Sequence, residues 1–207
     1  MLKVLAFTTM LLDHIGHTFF PNETFLSIIG RLAFPLFAWS IAFGYKRTKS
    51  VNSYILRVLL LAFVSEIPHL LLFNTNYLNV CFTLLSGIIV IKLIESKLKV
   101  AKWPLITLVL TLSRLLGFEY GIYGIITILI FYYIKNKYLI VILQAIATIV
   151  FTDIYHYSWI QIFSLFSLPL IFYFQNSTFR LKRFINYSFY PLHMVMLLLL
   201  KYILSLR

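Results

Sequence analysis

The chain has 207 residues, 61% of them hydrophobic and only 12% charged, with a net charge of +12. Soluble domains are nearer half apolar and a quarter charged, and no soluble basic domain is left over here to present a groove to nucleic acid. Apolar runs of roughly 17–20 residues recur along the whole length, the pattern of membrane-spanning helices, and the single Cys81 excludes an internal disulfide.

The reading is an all-α, polytopic transmembrane bundle forming one integral-membrane domain over 1–207. Nine helices are expected, at 2–20, 25–45, 54–73, 79–95, 103–118, 120–134, 138–155, 159–175 and 185–204. The short fifth, sixth and eighth runs leave the count between eight and ten. The first run is basic then apolar, like a signal peptide. Asp13 and His14 interrupt it, and no small-x-small cleavage site follows, so it reads as a retained helix. Lys46, Arg47 and Lys49 follow the second run, and Lys97, Lys99 and Lys102 the fourth. Lys135 and Lys137 follow the sixth, and Arg180, Lys182 and Arg183 the eighth. The alternate loops, PNET, NTNYLN, GFEYG and TDIYHYS, hold no Lys or Arg. By the positive-inside rule the N-terminus and the basic loops are cytoplasmic. The C-terminus is then outside, where Lys201 and Arg207 fit the rule less well. Most of the +12 charge is accounted for by this topology. Attraction of a cytosolic anion, such as a nucleotide phosphate, is its other use.

Ionisable residues recur at one depth. At 1.5 Å per residue, His14 lies roughly 17 Å from the cytoplasmic end, His193 roughly 15 Å, Glu66 roughly 18 Å and Arg31 roughly 20 Å. Each costs at least about 2–3 kcal/mol if left facing lipid, so they are expected to face one another across the bundle. Asp13 and His17 are four apart and share a helix face. Glu66 and His69 flank Pro68, Tyr190 and His193 flank Pro191, and Arg31 precedes Phe34-Pro35. Prolines free backbone carbonyls and mark sites in membrane helices. A bland reading stands beside each residue. Arg31 and Glu66 can be a structural ion pair, His69 can bond a backbone carbonyl, and His17 can be interfacial. His156, beside Asp153 in an outer loop, reads as solvated.

No nucleophile elbow, P-loop, dinucleotide fingerprint or Cys/His zinc spacing is present in the sequence, and no metal is expected. What remains is a histidine-centred acid–base site within the membrane. It suits an acyltransferase, and equally a proton-coupled transporter or flippase using the same Asp/Glu/His relay.

Six phrases narrow this choice: MLLDHIGH (10–17), GRLAFPLFAWSIAFG (30–44), SEIPHLLLFN (65–74), NVCFTLLSG (79–87), EYGIYGI (119–125) and YSFYPLHMVML (187–197). Together, and in this order, they resemble the TraX family of conjugal-transfer membrane proteins, with Glu119 where the family often has Asp. The resemblance implies an acetyltransferase of the bacterial inner membrane that acetylates the pilin N-terminus, related to transmembrane acyltransferases that draw on cytosolic acetyl-CoA. It implies acetyl-CoA as acyl donor and a membrane-anchored or lipid-linked acceptor, either pilin or an envelope glycan or lipid. His14 is then the general base, oriented by Asp13 or by a partner across the bundle. Arg31 or Asn79 stabilises the oxyanion, Glu66 fixes Arg31, and His193 shares the base role or protonates the leaving thiolate. His17, His69, Asn79, Glu119, Tyr120 and Tyr190 are expected around the substrate. Direct transfer and an acetyl-histidine intermediate both remain open, as does the oligomeric state.

Overall fold

The computed structural model describes residues 1–155, 158–179 and 181–205; His156, Arg180 and Arg207 lie outside the described residues. The described chain is all helical. Its α-helices are α1 (Leu2–Phe19), α2 (Thr24–Gly30), α3 (Ala33–Arg47), α4 (Val51–Phe73), α5 (Val80–Glu95), α6 (Lys102–Leu115), α7 (Gly121–Tyr133), α8 (Lys137–Ile154), α9 (Ser167–Phe174) and α10 (Arg183–Ser205). A 3-10 segment, Trp159–Phe166, leads directly into α9. Counting α2 and α3 together as one membrane span, the bundle has nine helices among the described residues, as the apolar runs predict. Four stretches are long and apolar enough to cross a membrane: Thr24–Arg47, Val51–Phe73, Lys137–Ile154 and Phe184–Leu204. By length and composition this is a multi-pass membrane protein.

Proline and the capping residues explain most boundaries. Pro35, Pro104 and Pro169 each stand third in their helix, within the first turn, where a missing N–H costs nothing. Pro35 thereby sets the break between α2 and α3, inside the run 25–45, where Phe34-Pro35 after Arg31 was the candidate break. Asn79 caps α5 by accepting from the Cys81 N–H, and Asn136 caps α8 by accepting from Tyr138 and Leu139. Asn74 ends α4 in the left-handed conformation, with φ 49°. Pro68 and Pro191 lie inside α4 and α10, and each helix runs on past them.

Helix α1 packs on α2, α3 and α10; α10 packs on α4, α4 on α5, α5 on α7, and α3 on α7. The core between them is aliphatic and aromatic, with Phe34, Leu36, Ile88, Tyr123, Met194 and Leu197 almost wholly enclosed. A polar knot is buried within it between α7 and α8. There Gln144 Nε2 donates to Tyr123 Oη at 3.1 Å and to Thr127 Oγ1 at 3.2 Å, and Tyr123 shares a 3.1 Å bond with Thr148. The lipid-facing sides of α4 and α10 stay apolar, with Leu60, Phe63, Leu71, Leu192 and Leu199 exposed.

Candidate active site

His14 on α1 and His193 on α10 meet in the bundle interior, His14 Nδ1 lying 2.7 Å from His193 Nε2. Their rings stack at 4.9 Å. The hydrogens can be assigned by elimination. His193 Nδ1 is 2.9 Å from the Phe189 carbonyl oxygen. A carbonyl only accepts, so Nδ1 carries the hydrogen. In a neutral imidazole the other nitrogen is then an acceptor. His193 Nε2 therefore accepts, and His14 donates from Nδ1. The lone pair of His14 is left on Nε2, which makes no hydrogen bond among the described residues. The Phe73 ring packs edge-on to His14 at 4.8 Å and also touches His69 at 5.3 Å.

His14 lines a cavity of about 550 Å³ at the end of the bundle opposite the basic loops, together with Asp13, His17, Arg31, His69, Glu119 and Tyr120. An adjoining lobe of about 240 Å³ shares His17, Arg31, Glu119 and Tyr120 and is closed by Gln161. His193 does not line this space and stands behind His14.

Arg31 lies at the break between α2 and α3. Its Nη2 donates to Asp13 Oδ1 at 3.4 Å, its Nη1 to Gln161 Oε1 at 3.4 Å and its Nε to the Ser27 carbonyl at 3.2 Å. A guanidinium has five N–H donors, so two remain for the cavity. Asp13 also faces His17 Nε2 at 3.7 Å, the i,i+4 contact that the spacing predicts. Gly30 makes this arrangement possible, because a Cβ there would overlap the Asp13 side chain from its own Cβ to its carboxylate.

Glu119 and Tyr120 reach the cavity from a constrained turn. The Leu78 N–H donates to the Gly117 carbonyl and the Glu119 N–H to the Leu78 carbonyl, both at 2.9 Å. Gly117, Tyr120 and Gly121 all have positive φ, with Tyr120 at 64°. A tyrosine there is strained. It is held by stacking on Phe34 at 4.0 Å, which joins the FPLF and EYG phrases. His69 Nε2 stands 4.0 Å from Glu119 Oε2. His69 Nδ1 is buried with no hydrogen-bond partner among the described residues, so the carbonyl bond considered from the sequence is not formed.

One expected pairing differs, and an open alternative is decided. Glu66 was expected to fix Arg31; instead its Oε2 accepts from the Asn79 backbone N–H at 3.1 Å and from Asn79 Nδ2 at 2.6 Å, while Asp13 holds Arg31. Of the two groups expected to orient His14, Asp13 is turned to Arg31 and His17, and the partner across the bundle, His193, makes the bond. Asn79 is fully buried, and its Nδ2 also donates to the Ala62 carbonyl at 2.8 Å. Both its amide hydrogens are thus committed to tying α4 to α5, and it does not line the cavity. Tyr190 is buried one turn below His193, their rings 5.6 Å apart, and it too lies outside the cavity. The sequence reading missed Phe73 and Gln161. A glutamine inside the apolar run WIQIFSLF was the available signal for the second.

These features define a class: a multi-pass helical membrane protein with a hydrogen-bonded histidine pair at the base of a polar cavity. The family model described as TraX protein matches residues 1–201. The chain belongs to the TraX family, which is associated with F-pilin acetylation. No curated protein and no solved structure gives a match.

Proposed function

We propose that this protein is a membrane-embedded acetyltransferase of the bacterial cytoplasmic membrane. It moves acetyl from cytosolic acetyl-CoA to an amine or hydroxyl of a membrane-anchored or lipid-linked acceptor, the pilin N-terminus or an envelope glycan or lipid. The observation that carries the reading is the His14–His193 hydrogen bond, which leaves the His14 Nε2 lone pair available beside the cavity.

On this reading the acceptor enters the cavity from the end away from the basic loops, which is the outer side by the positive-inside rule. Its lone pair forms a bond to the thioester carbonyl carbon, and its proton passes to His14 Nε2. His193 Nε2 accepts from His14 Nδ1 throughout and stabilises the imidazolium as it forms. Negative charge develops on the carbonyl oxygen, where the two uncommitted N–H groups of Arg31 serve as donors. Asp13 and Gln161 keep the guanidinium in place. As the intermediate collapses, the C–S bond breaks and the departing thiolate takes the proton from His14. His69, Glu119 and Tyr120 line the acceptor space, with His17 at its rim.

The test uses protein in nanodiscs supplied with radiolabelled acetyl-CoA. Wild type releases CoA and labels an acceptor or itself, and His14→Ala in folded protein does not. Full transfer by folded His14→Ala would overturn the assignment.

A further inference from the structure

Away from the His14 cavity, the basic end of the bundle carries a second chain of cavities. One is lined by Lys46, Lys135 and Lys137 together with Trp39, Phe43 and Phe172. The next, of about 400 Å³, shares the Trp39–Phe43 wall and adds Lys3 and Arg47. The two rings of that wall stack at 4.7 Å. Five cations therefore face these two spaces, and neither is lined by a carboxylate among the described residues. The nearby Glu95 is occupied by hydroxyl donors, Tyr45 at 3.0 Å and Tyr132 at 2.5 Å. The positive-inside rule explains basic loops, but not why they converge on an aromatic-walled hollow. Glu95 still attracts Lys46, but no carboxylate lines the spaces that the other four cations share among the described residues. Like charges gathered this way raise one another's energy, and a polyanion relieves this.

The second cavity continues into a narrow channel between α1, α3, α4, α5 and α10, the two sharing Lys3, Ser40 and Asn186. Phe7, Phe37 and Leu84 give the channel apolar walls, and Cys81 and Tyr190 line it deeper in. Tyr190 precedes His193 by one turn of α10, so the channel points at the histidine pair from the side opposite the first cavity. Asn186 stands at the neck. Its Nδ2 donates to the Leu181 carbonyl at 3.1 Å, while its Oδ1 is buried with no partner among the described residues. A buried unpaired carbonyl oxygen at the mouth of a channel is an acceptor waiting for a ligand N–H.

We infer that these three spaces are the donor site: the lysine–aromatic hollow takes a nucleotide's base and phosphates, and the channel takes a flexible amide-containing thioester arm, with Asn186 Oδ1 accepting from an arm amide. This rests on the acetyltransferase reading and assigns its donor subsite. Lys135 and Lys137 are exposed at the rim, so replacing them leaves the core intact.

The experiment compares wild type with Lys135→Gln/Lys137→Gln in nanodiscs of zwitterionic lipid, using acetyl-CoA and acetyl-pantetheine, which lacks the nucleotide. Charge-assisted contacts to phosphate are the strong ones. The ratio of kcat/KM for acetyl-CoA to that for acetyl-pantetheine is expected to fall about ten-fold or more. Asn186→Leu is expected to lower kcat/KM for both donors alike. Equilibrium binding of CoA, measured without turnover, is expected to weaken in the lysine variant by the same factor. An unchanged ratio and unchanged CoA binding would overturn the donor site. So would a lysine effect seen only when anionic phosphatidylglycerol is present, which would assign the cations to lipid headgroups. CoA binding that depends on the lysines in a wild type that transfers acetyl from neither donor would leave this site standing and sink the acetyltransferase reading.

Discussion

Replacing His193 by phenylalanine keeps a ring against Phe189 and Tyr190 but removes the acceptor for His14 Nδ1–H. The ground-state cost is an unpaired buried donor, about 1–3 kcal/mol. On the proposed mechanism, the catalytic cost is the bond that steadies His14 once it has taken a proton. Hydrogen bonds to charged groups contribute about 1.5–3 kcal/mol, and 1.36 kcal/mol is tenfold in rate. His193→Phe should therefore slow acetyl transfer roughly ten- to 150-fold. His14→Ala, which removes the base itself, should cost about 10²–10⁴-fold. If His193 acts only through His14, the double variant is no slower than His14→Ala alone. His193→Gln, which supplies a carbonyl acceptor, should recover part of kcat. The assay is thiol release from acetyl-CoA in nanodiscs, with thermal melts establishing that each variant is folded. A double variant whose loss is the product of the two single losses would refute the reasoning. His193 would then act on the reaction by itself, as in protonating the leaving thiolate.

Asn79→Ala should destabilise more than a lost helix cap. The cap contributes about 0.5–2 kcal/mol, and the half-buried Glu66 carboxylate also loses its side-chain donor. Adding Glu66→Gln should restore part of the melting temperature, and a double variant less stable than Asn79→Ala would contradict the pairing described here. Gly30→Ala forces a methyl into the space of the Asp13 side chain. Overpacking of this kind costs about 1–3 kcal/mol, read as a lower melting temperature, and acetyl transfer should fall with it as Arg31 is displaced. A variant with wild-type stability and turnover would show that α1 and α2 are not so closely fitted.

The two sides of the site were unequally legible. His14 and His193 were matched by depth alone, and they are bonded, because two polar groups at one level of an apolar interior have few other partners. The i,i+4 pairing of Asp13 with His17 likewise follows from helix geometry. Arg31 and Glu66 were matched by the same depth count and are not paired. Depth along a helix says nothing of the direction in which a side chain points. The break that Pro35 imposes between α2 and α3 puts Arg31 beside α1 and Gln161, while Glu66 faces the cap of α5. Asn79 was placed in the site with the NVCFTLLSG phrase that it opens. Its position just before the apolar run of α5 was the sign that it is a cap. The turn carrying Glu119 and Tyr120 depends on a contact between Leu78 and Phe118, separated by 40 residues of chain, which no local pattern announces.

The stacked imidazoles stand between two spaces that open toward opposite ends of the bundle. In such a plan neither reactant needs to pass through the protein. On the proposed mechanism the acyl group alone changes sides, carried on the tip of the donor arm to the His14 edge of the first cavity, where the acceptor meets it. The barrier to ions is kept, on the acetyltransferase reading proposed above, while a two-carbon fragment is exported, with the thioester bond as the source of drive. On the proposed reading, an internal metabolite modifies an acceptor on the outer side without a conduit opening for either.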